Sequence, residues 1–384
     1  MPTIRAFELY AVEFPFRRPF KHAAAERHSS YSLLLKCVTD SGAAGFGECL
    51  PREYVTGESR DGVFQLLAEA VLPRLVGRTF ASLEEVRKFL EACDGKAPPD
   101  WVAPRVPQTA AWAAVDLALL DAFGQALKTP IRLRSTEELP PAFRYSVVSS
   151  ATRGLKAWKS FALYRFFGFR QAKLKIENDS AEETARLARK IMGRHCDLRV
   201  DANMAWDVSQ AVASMRRLAR YGIHSFEQPL AADDIDGLAT LVRETGLGVM
   251  VDESLNDADS LARLIDRQAR TAIKARISKC SGLVATYKRC RQALEAGLTV
   301  QVGAQVGETS LLSAAQLILI AAVRKVTYGE GCFGHHLLRE DPFAPLIQFG
   351  RGGRPPALPG GTGLGVRIQE DILERWCVKT QTIG

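Results

Sequence analysis

Short apolar or β-branched runs recur about every 25 residues through the middle of the chain, and this period restricts the fold more than any other feature. The runs are FRYSVV from Phe143, QAKLKI from Gln171, LRVDAN from Leu198 and IHSFEQ from Ile223. LGVMVDE from Leu247, AIKARIS from Ala272, LTVQVGA from Leu298 and KVTYGEG from Lys325 complete the set. Most are separated by segments whose apolar residues fall at spacings of three and four. In VSQAVASMRRLARYG, Val208, Ala211, Met215, Leu218 and Tyr221 make one stripe, and Gly222 stands at the expected helix C-terminus. Strands alternating with helices imply parallel βαβ units. Eight such units at a steady period predict a (β/α)8 TIM-type barrel, the crossover over residues 149–169 being the least regular.

The first 125 residues read differently. IRAFELYAVEFPF and SLLLKCVTDSGAAGFGE suggest antiparallel strands, and 67–90 and 108–127 suggest helices. We therefore expect an N-terminal α+β capping domain over 1–125, the barrel over 126–340, and a segment over 341–384 that returns to the capping domain. A chain of 384 residues with 47% apolar content suits that arrangement. The N terminus lacks a basic start followed by an apolar run. The most apolar stretch, 311–323, falls short of the ~20 residues a membrane span needs. The eight cysteines form no C-x-x-C pair, which suits a reduced compartment. A soluble cytoplasmic protein with no membrane partner is expected. The net charge of +8 comes without a long basic run or an aromatic-interleaved basic stripe, so no nucleic-acid partner is expected. Such a positive field is better suited to steering small anionic substrates.

Catalytic groups in barrels of this kind sit at the C-terminal ends of the strands. The second run ends Lys173-Leu174-Lys175, and a period of two puts both lysines on the inward face. The next three end Asp201-Ala202-Asn203, Glu227-Gln228-Pro229 and Asp252-Glu253. Asp201, Glu227, Asp252 and Arg276 are separated by 26, 25 and 24 residues, one unit each. Three carboxylates meeting at one barrel mouth would repel one another without a cation. Oxygen donors with no histidine favour Mg2+ over Zn2+. A single acidic residue on a loop would be unremarkable; three in phase beside an inward lysine pair are not.

These residues make the chain resemble the enolase superfamily, in the mandelate racemase and muconate-lactonizing-enzyme group. The resemblance covers nearly the whole chain. Its carriers are GFGECLPREYVTGES, AAWAAVDLALLDAFG, K-L-K, D-A-N, E-Q-P, D-E-S, K-C-S-G and PGGTGLG. It implies a Mg2+ cofactor with Asp201, Glu227 and Asp252 as ligands, and Asn203 and Glu253 orienting those ligands. It also implies Lys175 as general base, with Lys173 helping to hold the substrate carboxylate. A homo-oligomer is expected on the same ground. The chemistry is coherent, because a proton α to a carboxylate is weakly acidic and the enediolate left by its removal needs nearby positive charge.

Arg276 departs from the lysine-based subgroup, which carries a second acid/base lysine at this position. An arginine stays charged and serves better as a fixed cation than as a proton shuttle. The reading that follows is one-base chemistry on a carboxylate, either cycloisomerisation or syn elimination. The alternatives are a racemase or epimerase of an amino-acid derivative that draws its second base from Lys274 or Lys279, and a non-catalytic metal-binding homologue. Ordinary pairing or capping roles stay open for both lysines. Glu330 stands where dipeptide epimerases show the first acid of an Asp-x-Asp, and the second acid is missing. It either meets a substrate cation or makes a salt bridge at the rim. The PREYVTGES loop offers Arg52 and Tyr54 as substrate contacts, and FKHAAAERH offers His22 and Arg27. GGTGLG has no strand and helix around it, which speaks against a dinucleotide site.

Overall fold

The computed structural model describes the chain apart from residues 23–24, 136, 150–153, 177–179 and 270–271, and apart from the side chains of 20–22 and 25–26. His22 is therefore placed by its backbone only, in β1 (Ile4–His22), and its expected substrate contact lies outside the described residues. β1 pairs with β2 (Ala25–Thr39), which pairs with β3 (Ala44–Cys49), all antiparallel. The strand Cys377–Ile383 completes this four-stranded sheet on the outer side of β1. From Phe7 to Phe16 the buried residues of β1 are Phe7, Leu9 and Ala11, then Val12, Phe14 and Phe16. The alternation changes phase between Ala11 and Val12, where the register with the C-terminal strand also shifts, as a β-bulge requires.

The helix Thr109–Ala126 lies against this sheet, and its residues are buried almost throughout. The approach is close because β3 carries Gly47, where an added Cβ would stand 1.9 Å from the Ala114 carbonyl oxygen. Two buried aspartates on the helix tie the parts together. Asp116 accepts from the backbone N–H of Leu283, at 2.7 Å, at the start of the barrel helix Leu283–Glu295. Asp121 accepts from the N–H of Phe46 in β3 and of Leu364 in the PGGTGLG segment, both at 2.8 Å. That segment thus packs on the helix. Replacing Asp121 with Ala strands two buried N–H groups, which should cost about 2–4 kcal/mol of stability. Urea denaturation checks this, and an unchanged midpoint would refute the account.

The continuous helix expected over 67–90 is not formed. A helix over Arg60–Leu66 runs into a π turn and a short 3-10 turn ending at Arg74, and a second helix covers Leu83–Cys93. Pro73 lacks the amide a continuing helix needs, and Gly77 lies at φ +81°. The stripe-bearing helix Val208–Ala219 also stops before Gly222, at φ +71°.

Eight parallel strands bear out the predicted barrel. They are β4 (Val147–Ser149), β5 (Gln171–Lys175), β6 (Asp197–Asp201), β7 (Ile223–Glu227), β8 (Gly248–Val251), β9 (Ala272–Ala275), β10 (Thr299–Val302) and β11 (Tyr328–Gly329). Each is bonded to its neighbour in sequence. A parallel bridge between Tyr145 and Gly329 joins the last strand to the chain just before the first. Among the described residues no helix is long and apolar enough to cross a membrane.

Candidate active site

The ends of β5 to β9 bring the polar groups named from the sequence to one side of the barrel. Gln228, at φ +36°, turns the chain after β7. Its side-chain oxygen accepts from the N–H of Asp252 (2.9 Å) and Ser254 (3.2 Å), and its amide donates to Ser254 Oγ (2.8 Å). This clamp fixes Asp252 relative to β7. Asn203 contributes its backbone N–H to Asp201 Oδ1 at 3.1 Å.

The carboxylates are buried and each meets cations. Lys173 Nζ lies 3.0 Å from Asp201 Oδ2, 2.9 Å from Glu227 Oε1 and 2.9 Å from Glu330 Oε2. Lys274 Nζ lies 2.7 Å from Glu227 Oε1, 3.0 Å from Glu330 Oε2 and 3.5 Å from Asp252 Oδ2. Arg276 donates to Asp252 Oδ2. Lys279 reaches the other carboxylate oxygen of Asp252 at 3.1 Å, and also donates to the Asp252 carbonyl. Burial alone would raise the Glu227 carboxyl, but the Lys173 and Lys274 ammoniums overcome it and bring it down to about 2. Burial weakens the protonated form of Lys175, and the charge of Lys173 pushes the same way, so its pKa is lowered. Burial also brings Lys279 down to about 8, with Arg276 adding to the shift.

A cavity of about 260 Å³ opens at this side of the barrel. Lys175, Arg276, Glu253 and Asn203 line it from the barrel, and Arg52, Tyr54 and Arg27 from the capping domain. Arg52 is pinned by donating to the carbonyls of Tyr31 (2.7 Å) and Pro51 (2.9 Å), whereas Tyr54 is half exposed beneath the Arg27 guanidinium. Lys279 does not line the cavity and is fully buried. Glu330 is not at the rim: it is 4% exposed and lines the cavity together with Lys173 and Lys274, lying between those two lysines and Arg199. A larger cleft of about 640 Å³, lined by Arg144, Arg170, Arg351 and Arg354, lies at the opposite ends of β5 and β6.

Arg199, Ser146 and Gln301 escaped the sequence reading. Arg199 Nη2 lies 3.3 Å from Glu330 Oε1 and donates to Ser146 Oγ at 2.8 Å, while Nη1 donates to Gln301. The available signal was parity, because Arg199 shares the inward phase of Asp201. Gln228 was visible only as part of E-Q-P.

Asp201, Glu227 and Asp252 are hard oxygen donors. Glu227 Oε2 is buried without a hydrogen-bond partner, as is Glu253 Oε2. A divalent cation of the magnesium type fits this donor set and would satisfy such an oxygen. Among the described residues, however, no three acidic, histidine or cysteine side chains are gathered as a metal cluster, since the carboxylates are held by ammonium and guanidinium groups.

Two family models match the chain: "Enolase C-terminal domain-like" over residues 159–372 and "Mandelate racemase / muconate lactonizing enzyme, N-terminal domain" over residues 6–133. The chain belongs to the enolase superfamily. An N-succinyl-L-Arg/Lys racemase of Bacillus cereus is 28% identical to this superfamily member over 98% of both chains. Its crystal structure superposes with a TM-score of 0.87, covering all of each chain. Muconate cycloisomerase 1 of Rhodococcus opacus is also 28% identical, over 97% of this chain and 98% of its own. A dipeptide epimerase of Cytophaga hutchinsonii, solved with Mg and the dipeptide D-Ala-L-Val, shares the fold at 23% identity with a TM-score of 0.83 over the full length of both chains. These relatives are enzymes, and isomerases are prominent among them.

Proposed function

We propose that this chain removes the α-proton of a carboxylate substrate with Lys175 as base, and that the reaction is racemisation or epimerisation of an amino-acid derivative such as an N-acyl amino acid or a dipeptide. One observation carries the reading: Lys175 stands on the wall of a small-molecule cavity, with its pKa lowered, beside a cluster of buried carboxylates and cations. The racemase and epimerase relatives support isomerisation at an amino-acid α-carbon, ahead of the cycloisomerisation or elimination expected from the sequence. The second reading, one-base chemistry, is favoured by Arg276, which replaces the expected second lysine, and by the cycloisomerase relative.

In this reading the positive charge around the cavity draws in the substrate carboxylate, and Lys175 in its neutral form takes the α-proton from one face. Water returns a proton to the other face of the enediolate, and protonated Lys175 gives its proton back to solvent. Asp201, Glu227 and Asp252 would hold a magnesium ion, which when bound supplies charge to the enediolate oxygens. Arg276 is a fixed cation on the cavity wall, and Arg52 and Tyr54 shape its capping side. The reading is tested with N-acyl amino acids and dipeptides in D2O, followed by mass spectrometry. Deuterium uptake in no member of the panel would count against it. Exhaustive chelation should lower the rate of exchange at least ~10-fold, and added Mg2+ should restore it. Full activity after chelation would remove the metal from the proposal. We also propose a homo-oligomer, supported by Leu155, Trp158, Leu163, Phe166 and Phe167, which are exposed on one barrel helix and its C-terminal turn.

A further inference from the structure

We propose that Lys274 and Glu330 form a built-in counter-charge pair in the wall of the cavity, and that this pair sets how tightly a divalent cation is held by Asp201, Glu227 and Asp252. The inference rests on the reading that those three carboxylates are the metal ligands.

The geometry is a closed ring of alternating charge. Going round it, Lys173 Nζ is 2.9 Å from Glu227 Oε1, which is 2.7 Å from Lys274 Nζ, which is 3.0 Å from Glu330 Oε2, which is 2.9 Å from Lys173 Nζ. Barrel interiors are ordinarily filled by layers of branched apolar side chains. Here a layer of charge takes their place, with Lys274 1% and Lys173 3% exposed. The surrounding chain is cut to fit it. Gly303, just past β10, leaves the space for the lysine stem, because an added Cβ would stand 2.6 Å from Lys274 Cε. From the other side Arg199 holds Glu330 in place, and Gln301, which pairs in register with Lys274, holds Arg199.

The Lys274 ammonium already sits on two of the three expected ligands, Glu227 at 2.7 Å and Asp252 at 3.5 Å. A buried like charge at such range opposes a second cation, and a buried anion favours it. Lys274 therefore weakens divalent binding and bridges Glu227 and Asp252 without metal, while Glu330 limits the weakening. Lys274 acts through Glu227 and Asp252 and is a positioning residue.

Mn2+ and Mg2+ titrations by calorimetry test this, with Mn2+ binding followed also by electron paramagnetic resonance. Lys274→Met is expected to bind Mn2+ at least ~10-fold more tightly than wild type, and Glu330→Gln at least ~10-fold more weakly. The double variant should return close to wild type. Circular dichroism in chelator reports folding separately. Unchanged Mn2+ affinity in both folded single variants, or weaker binding in Lys274→Met, would overturn the proposal. Should Lys274→Met not fold, Glu330→Gln decides alone: weaker binding supports the pair and unchanged binding refutes it. Glu227→Gln separates the two levels of the argument. If it leaves Mn2+ binding intact, the ligand assignment fails. If it abolishes binding while the Lys274 and Glu330 variants match wild type, only the counter-charge role fails.

Discussion

Replacing Lys175 with alanine is expected to lower α-proton exchange by at least ~10²–10⁴-fold, the contribution of a positioned general base. The fold should be retained and Mn2+ should still bind, because Asp201, Glu227 and Asp252 are unchanged and Lys175 is not among the proposed ligands. The pH profile gives a second check. A base must be neutral to act. Burial and the neighbouring Lys173 lower the Lys175 pKa, so activity should persist to lower pH than an ordinary lysine would allow. It should be lost as pH falls through that lowered value, where the amine is protonated. Lys175→Arg restores the charge and not the base, so it should stay inactive. Near-normal exchange in Lys175→Ala would place the base elsewhere.

The barrel was legible because its period is a property of the chain itself. Each strand–helix unit must bury one strand and one helix face, and this sets a recurring length that survives in the sequence. Strand-end groups are legible for the same reason: a unit repeat puts Asp201, Glu227, Asp252 and Arg276 in phase. What the period does not carry is contact across the barrel. Lys274 and Glu330 lie on β9 and just past β11, and their meeting with Lys173 of β5 depends on how the sheet curls. Glu330 accordingly reads as a rim residue in sequence and is buried in the structure. Lys279 presents the complementary case. It follows β9 by several residues, and the turn after that strand carries it back to the Asp252 carbonyl rather than into the cavity. Local breaks were underestimated where an apolar pattern runs through a proline, as at Pro73.

Wild-type enzyme should exchange the α-proton of one enantiomer at least ~10²-fold faster than that of the other, because Lys175 is a base and Arg276 is not. For racemisation at a single centre the equilibrium constant is one, so interconversion must be equally efficient in both directions. Exchange without inversion is under no such constraint. The enantiomer whose α-hydrogen faces Lys175 should take up deuterium quickly with its configuration retained, and inversion should lag behind. Arg276 is held by its bond to Asp252 and still faces the cavity, which suits a fixed cation. Arg276→Met should reduce kcat/KM by ~10²–10³-fold, as for loss of one charged stabiliser. Arg276→Lys should supply a group able to carry a proton and raise the rate of inversion relative to exchange. Proton NMR of each enantiomer separately in D2O makes the measurement. Equal exchange of both by wild type would show a working second base and overturn the role given to Arg276. Exchange confined wholly to one enantiomer, with no inversion at long times, would move the assignment to one-base chemistry.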